Sequence, residues 1–157
     1  MTRTAVHCLR KIAVDPDRLW AVLGTFDLSW HPFVQSCDLL RSPQGALLRS
    51  FKDDGGQVYE ERRTYLSDTD RVLCYALESG IDDIQSYAAR VEVTQTDGGS
   101  LITWHADIAA ISDRIDAIAE GTRAVFEAAF DELEEMPSST AAKRPQLSAA
   151  VGELVQT

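Results

Sequence analysis

Residues 101–136 read LITWHADIAAISDRIDAIAEGTRAVFEAAFDELEEM, and the hydrophobic period changes partway through them. Up to Ala110 the apolar side chains alternate, so Ile102, Trp104, Ala106 and Ile108 share one face of a strand. From Ile111 the spacing becomes three and four. Ile111, Ile115, Ile118, Ala119, Thr122, Val125, Phe126, Ala129, Phe130, Leu133 and Met136 form one stripe, with Asp113, Asp116 and Glu120 on the outer face. The pattern predicts a helix over 111–136 with Ser112 as its N-cap. Such a helix is roughly 37 Å long at 1.5 Å per residue, enough to cross a sheet.

Upstream of it the chain reads as a run of strands. VQSCDLLRS, ALLRSFKDD, QVYEERRTYLS, RVLCYALES and QSYAARVEVTQ precede LITWHADIAA, and Gly, Asp, Ser and Pro clusters divide them. Short connections of this kind make hairpins, so the sheet is antiparallel. TAVHCLRKIA, residues 4–13, supplies a seventh strand with Val6, Cys8, Arg10 and Ile12 on one face. DPDRLWAVLG then predicts a short helix, with Asp15 as cap, Pro16 at its first position and Gly24 as its stop. TFDLSW is read as a second short helix, or a turn in its place, ended at His31 because Pro32 disfavours helical backbone there. The expectation is one α+β domain over 1–136. Residues 137–157 read as a tail: a Pro- and Ser-rich linker and a short amphipathic segment.

At 157 residues the chain is long enough for one domain with a sizeable core. Its net charge of −10 argues against nucleic acid and against anionic membranes, since both select a basic surface. No apolar run is long enough to span a bilayer, and the N-terminus lacks the pattern of a signal peptide. A cytoplasmic location is expected. Cys8, Cys37 and Cys74 are scattered and odd in number, as for free thiols.

The segments carry a family resemblance in their order and spacing. AVDPDRLWAVLGTF, WHPFVQSCDL, DDGGQVYEER, SYAARVEVTQTDGGSLITWHADI and VFEAAFDEL together resemble the START-like, helix-grip proteins of the SRPBCC superfamily, in its polyketide cyclase/dehydratase branch. The resemblance covers about residues 4–136. It implies a curved seven-stranded sheet gripping the long helix around a largely apolar cavity, a usual small-molecule site. In one departure, the loop GIDDIQSY has no proline where relatives often carry one, so the resemblance implies no ligand shape.

Strand alternation and helix periodicity nominate the cavity lining. Tyr75, Tyr87 and Trp104 face inward from the sheet, and Phe126 and Phe130 from the helix; the resemblance implies that Trp30 lies near the cavity mouth, and Phe33 beside it is nominated with it. Each aromatic is equally at home as core filling. His31 has two readings. It is either part of a Trp30-His31-Pro32 latch between helix and strand, or an acid–base group facing the cavity. Arg10 shares a face with apolar residues, so it either enters the cavity to hold an oxyanion, or points outward after a bulge, or sits in a buried salt bridge. On the fourth strand, Glu60 and Glu61 lie on opposite faces; Glu60 is the nominated cavity acid, with Glu61 as the alternative. His7, His31 and His105 have no metal-ligand spacing, so no metal is expected, and no cofactor. The partner that the family resemblance implies is a small hydrophobic or aromatic, polyketide-like molecule. It is either cyclised, aromatised or dehydrated in the cavity, or only carried or sensed there. A third reading is an interaction module whose tail docks on a partner or on a second copy, as a homodimer.

Overall fold

The computed structural model describes residues 1–136; the expected tail lies outside the described residues. The elements are β1 (Thr2–Ile12), α1 (Pro16–Leu23), β2 (Val34–Arg41), β3 (Leu47–Asp53), β4 (Val58–Ser67), β5 (Val72–Ser79), β6 (Ile84–Thr96), β7 (Gly99–Ala110) and α2 (Ser112–Glu134). The seven strands form one antiparallel sheet in the order β1-β7-β6-β5-β4-β3-β2. The order follows from the hairpins, with β1 returning to close against the last strand. Register shifts at Val34/Ser36, Glu60/Glu61, Arg63/Tyr65 and Ile84/Ser86 bend the sheet.

Alternation predicts the buried faces of β5, β6 and β7. Tyr75, Tyr87, Val91, Ile102, Trp104 and Ile108 are all buried. Helix α2 buries Ile115, Ile118, Thr122, Phe126, Ala129, Phe130 and Leu133 and packs against β1 and β7, whereas Ile111 at the cap and Val125 at the edge of the predicted stripe are exposed. Its cap differs from expectation. Ser112 is the first helical residue, Ile111 holds the cap position without a side-chain bond, and the Ser112 hydroxyl meets Thr2 Oγ1 at 2.6 Å. Helix α1 follows its signals: Asp15 accepts from the Asp17 N–H at 2.8 Å, Pro16 opens the helix and Gly24 closes it.

Only one short helix follows β1. In TFDLSW, local side-chain bonds displace the second helix. Asp27 N–H donates to Thr25 Oγ1, and Asp27 Oδ1 takes both the N–H and the hydroxyl of Ser29. Phe26 sits at φ 71° with its ring fully buried, a conformation that no helix contains.

Two glycines behave oppositely. At Gly99 an added Cβ would lie 2.2 Å from the Ile12 carbonyl oxygen, so β1 and β7 approach as they do only because that atom is missing. At Gly121, inside α2, an added Cβ meets nothing within 4 Å. Gly99→Ala should therefore lower stability by about 1–3 kcal/mol. Gly121→Ala should raise it by about 0.5–1 kcal/mol through helix propensity. Urea unfolding midpoints of the two variants measure both.

Candidate functional site

Between α2 and the β3–β5 side of the sheet lies a cavity of about 420 Å³. Its floor is apolar and aromatic: Phe51 from β3, Tyr75 and Leu77 from β5, Tyr87 from β6, Trp104 from β7 and Phe126 from α2. Trp104 stacks on Phe126 with ring centroids 4.9 Å apart, and its indole N–H donates to the Tyr75 hydroxyl at 3.0 Å. Burial pushes the hydroxyls of Tyr75 and Tyr87 well above the usual phenol range. Exposed side chains of α2 (Arg114, Ala124 and Val125) face Phe33 and Ile81 around the opening.

The polar wall is a buried ion pair. Arg49 on β3 stands directly opposite Glu61 on β4, and Arg49 Nε donates to Glu61 Oε1 at 2.7 Å. Arg49 is 2% exposed and Glu61 7%. The guanidinium lies 4.1 Å from the Phe26 ring centroid and 4.5 Å from that of Tyr75, and Nη1 donates to the Phe26 carbonyl at 3.1 Å. Burial pushes the Glu61 carboxyl up, and Arg49 opposes that rise. Both residues reach the cavity. A second pair stands nearer the rim. Tyr59 donates to Asp53 Oδ2 at 2.9 Å, and burial together with that carboxylate pushes its hydroxyl up to about 12.

The nominated residues separate. Phe33, Tyr75, Tyr87, Trp104 and Phe126 line the cavity. Phe130 does not. It packs behind Trp104 in the closed part of the core, 6.3 Å from it between centroids. Trp30 packs against the core beside His31, with their centroids 5.6 Å apart, and is absent from the lining.

Arg10 keeps the predicted face but lies outside the cavity. Glu127, Asp131 and Glu134 of α2 converge on its guanidinium, with Nη1 2.6 Å from Asp131 and 3.0 Å from Glu134. It ties the edge strand to the helix instead of holding an oxyanion. Glu60 also lies outside the lining, because the β3–β4 register sets Glu61, not Glu60, across from Arg49 on the inner face. Arg49 went unnominated. The available signal was its place between Leu47 and Phe51 at strand spacing, opposite a carboxylate across the hairpin.

His31 is 3% exposed and lines the cavity, but both ring nitrogens are taken by backbone. The Phe33 N–H donates to Nδ1 at 3.0 Å, so Nδ1 is the acceptor, and Nε2–H donates to the Val125 carbonyl of α2 at 2.9 Å. This geometry favours the latch, which clamps the loop before β2 to the helix. Burial lowers its pKa, with the α2 carbonyl and Glu132 opposing and Arg49 reinforcing the shift. Among the described residues no three His, Cys, Asp or Glu side chains form a metal-holding group, and no helix is long and apolar enough to cross a membrane.

A curved antiparallel sheet gripping one long helix around an aromatic cavity defines a helix-grip protein. The chain belongs to the polyketide cyclase / dehydrase and lipid transport family, whose model matches residues 3–136. Among solved structures, an uncharacterized protein from Bacillus thuringiensis is 16% identical with a TM-score of 0.74, over 83% of this chain and 96% of that one. The Zhui aromatase/cyclase from a Streptomyces species is 18% identical with a TM-score of 0.69, over 91% of this chain and 100% of that one. Norcoclaurine synthase from Thalictrum flavum is 15% identical with a TM-score of 0.67, over 85% and 86%. At these identities the likeness is one of fold. Comparison with curated protein sequences gives no significant match.

The latch has a pH signature. The folded state keeps His31 neutral, while the unfolded chain takes up a proton below about pH 6.5. The unfolded state therefore binds more protons in that range. The contribution of His31 is full above about pH 6.5 and is lost progressively as pH falls from there toward the lowered folded pKa. His31→Ala should cost about 1–3 kcal/mol at neutral pH, because it strands the Phe33 N–H, and should flatten this acid slope. Denaturant unfolding of both proteins between pH 5 and about pH 8 checks it.

Proposed function

We propose that the chain takes one small, largely aromatic, polyketide-like molecule into this cavity and catalyses its cyclisation, aromatisation or dehydration, with Arg49 and Glu61 as the working pair. The observation that carries this reading is a buried ion pair in the wall of an otherwise aromatic cavity. A cavity of about 420 Å³ suits a molecule of a few fused or extended ring equivalents. The aromatase/cyclase among the fold relatives supports the same class of chemistry.

The roles follow from chemistry. The Glu61 carboxylate takes a proton from a carbon between two carbonyls, and the electron pair moves onto the neighbouring carbonyl oxygen. The Arg49 guanidinium holds that enolate oxygen. The enolate carbon attacks a second carbonyl, a C–C bond forms, and the new alkoxide recovers the proton from Glu61. Loss of water then forms the double bond that leads to the ring's aromaticity. Burial makes Glu61 a stronger base than an exposed carboxylate while Arg49 keeps it ionisable. The aromatic walls hold the chain folded for attack.

A second reading is a carrier or sensor that does no chemistry. It is favoured by the bond from Arg49 to the Phe26 carbonyl, which gives the pair a structural task of its own.

A short poly-β-keto thioester separates the two readings, with native mass spectrometry following binding and liquid chromatography following conversion. The wild type should convert it. Glu61→Gln keeps an acceptor for Arg49, so it should bind within about threefold of the wild type yet lose about 100-fold or more in rate. Thermal melting confirms that this variant is folded. Unchanged turnover in Glu61→Gln would remove Glu61 from the mechanism. Retention of the molecule by the wild type without conversion would establish the carrier.

A further inference from the structure

The outer face of the sheet carries a second constellation that the cavity does not use. His7 on β1 stands directly opposite His105 on β7. Their Nδ1 atoms are 3.2 Å apart, and their rings meet edge to face at 5.4 Å between centroids. His105 Nε2 lies 3.0 Å from Asp107 Oδ1, two residues along the same strand and on the same face. His7 and Asp107 are exposed and His105 is half-buried.

We propose that His7 and His105 form a surface site for a divalent transition-metal ion of the zinc and nickel class, with Asp107 orienting one ligand. The spacing fits. Two nitrogens each about 2.0–2.1 Å from a tetrahedral metal are about 3.3 Å apart, close to the separation already present. The tautomers fit as well. The Asp107 carboxylate accepts only, so His105 carries its proton on Nε2 and presents the Nδ1 lone pair toward His7. In the unbound protein His7 donates its Nδ1 proton to that lone pair. On binding, this proton moves to the His7 Nε2 through solvent, and both Nδ1 lone pairs turn to the ion.

A carboxylate behind a ligating imidazole is the common way to fix ring orientation and raise ligand basicity. The remaining coordination positions belong to water, since no third protein ligand joins the pair among the described residues. The other charges on this face are compatible with the site. Arg90 on β6 stands directly opposite His105 but is engaged by Glu92 at 3.2 Å, and Arg3 and Lys11 lie toward the two ends of β1.

The test is calorimetric titration of tag-free, full-length protein at pH 7.5 with Ni²⁺ alone and then with Zn²⁺ alone. The variants are His7→Ala, His105→Ala and Asp107→Asn. The wild type should bind one ion per chain. Each histidine variant should bind at least tenfold more weakly, and Asp107→Asn should weaken binding about tenfold. Circular dichroism should show all three variants folded, because the substituted side chains face solvent. Binding that survives both histidine substitutions, as through a cysteine, would overturn the proposal. So would the absence of saturable binding by the wild type up to millimolar metal. Ligand uptake by the cavity should be the same in all four proteins, which keeps this result separate from the fate of the proposed cavity chemistry.

Discussion

One helix cannot cover seven strands. Strands stand about 4.8 Å apart, so the sheet is roughly 29 Å across, while a helix with its side chains is only about 10–12 Å wide. Helix α2 resolves this by lying over β1 and β7, where Arg10 gathers three of its carboxylates. The β3–β5 side is then left to curl over a space the helix does not fill. The cavity is a consequence of that geometry. What each inward residue of β3, β4 and β5 does depends on which side of the helix axis it falls.

The contrast between Phe130 and Phe126 shows this division. They lie four residues apart on one helical face, and both are completely buried. Phe126 stacks on Trp104 at the cavity wall, whereas Phe130 fills the closed side, under Arg10. Periodicity identifies both as core, but it cannot say which of two core residues borders a void. Tyr75, Tyr87 and Trp104 were legible as inward residues because β5–β7 alternate without interruption through their central pairs. The fourth strand was not legible in the same way. Register shifts at Glu60/Glu61 and Arg63/Tyr65 break its alternation, so Glu61 is buried while Tyr65, four residues on, is half exposed. A bulge is a tertiary fact that the residue types of QVYEERRTYLS do not announce.

Arg10 and Arg49 make the complementary point about charge. Each occupies an inward position of a strand, and each is neutralised by a carboxylate from another element. Arg10 sits on an edge strand beside the flank of the helix, where water and several carboxylates reach it. Arg49 sits where a single partner meets it in the interior. Taking that second pair out of water carries a desolvation penalty of several kcal/mol per ion before the mutual attraction is counted. The pair is therefore weak evidence of stability and stronger evidence of a task. Part of that task is visible: the guanidinium, placed against Phe26 and Tyr75, anchors the strained Phe26 backbone to β3.

Most polar groups near the cavity are committed to protein partners. His31 is held by two backbone groups, Tyr75 by Trp104, and Tyr59 by Asp53. A ligand rich in hydrogen-bonding groups would have to displace these partners without water to compensate, which selects a mainly apolar, aromatic body. Arg49 and Glu61 are different because an ion pair can be re-formed around an inserted oxygen. A carbonyl or enolate oxygen placed between them accepts from the guanidinium while the carboxylate approaches the adjacent carbon. Each charged group then keeps an electrostatic partner throughout. A ligand polar at one end and aromatic along the rest satisfies that wall and the stacked rings together, and the placement of Glu61 across from Arg49 in the β3–β4 register makes such a fit available.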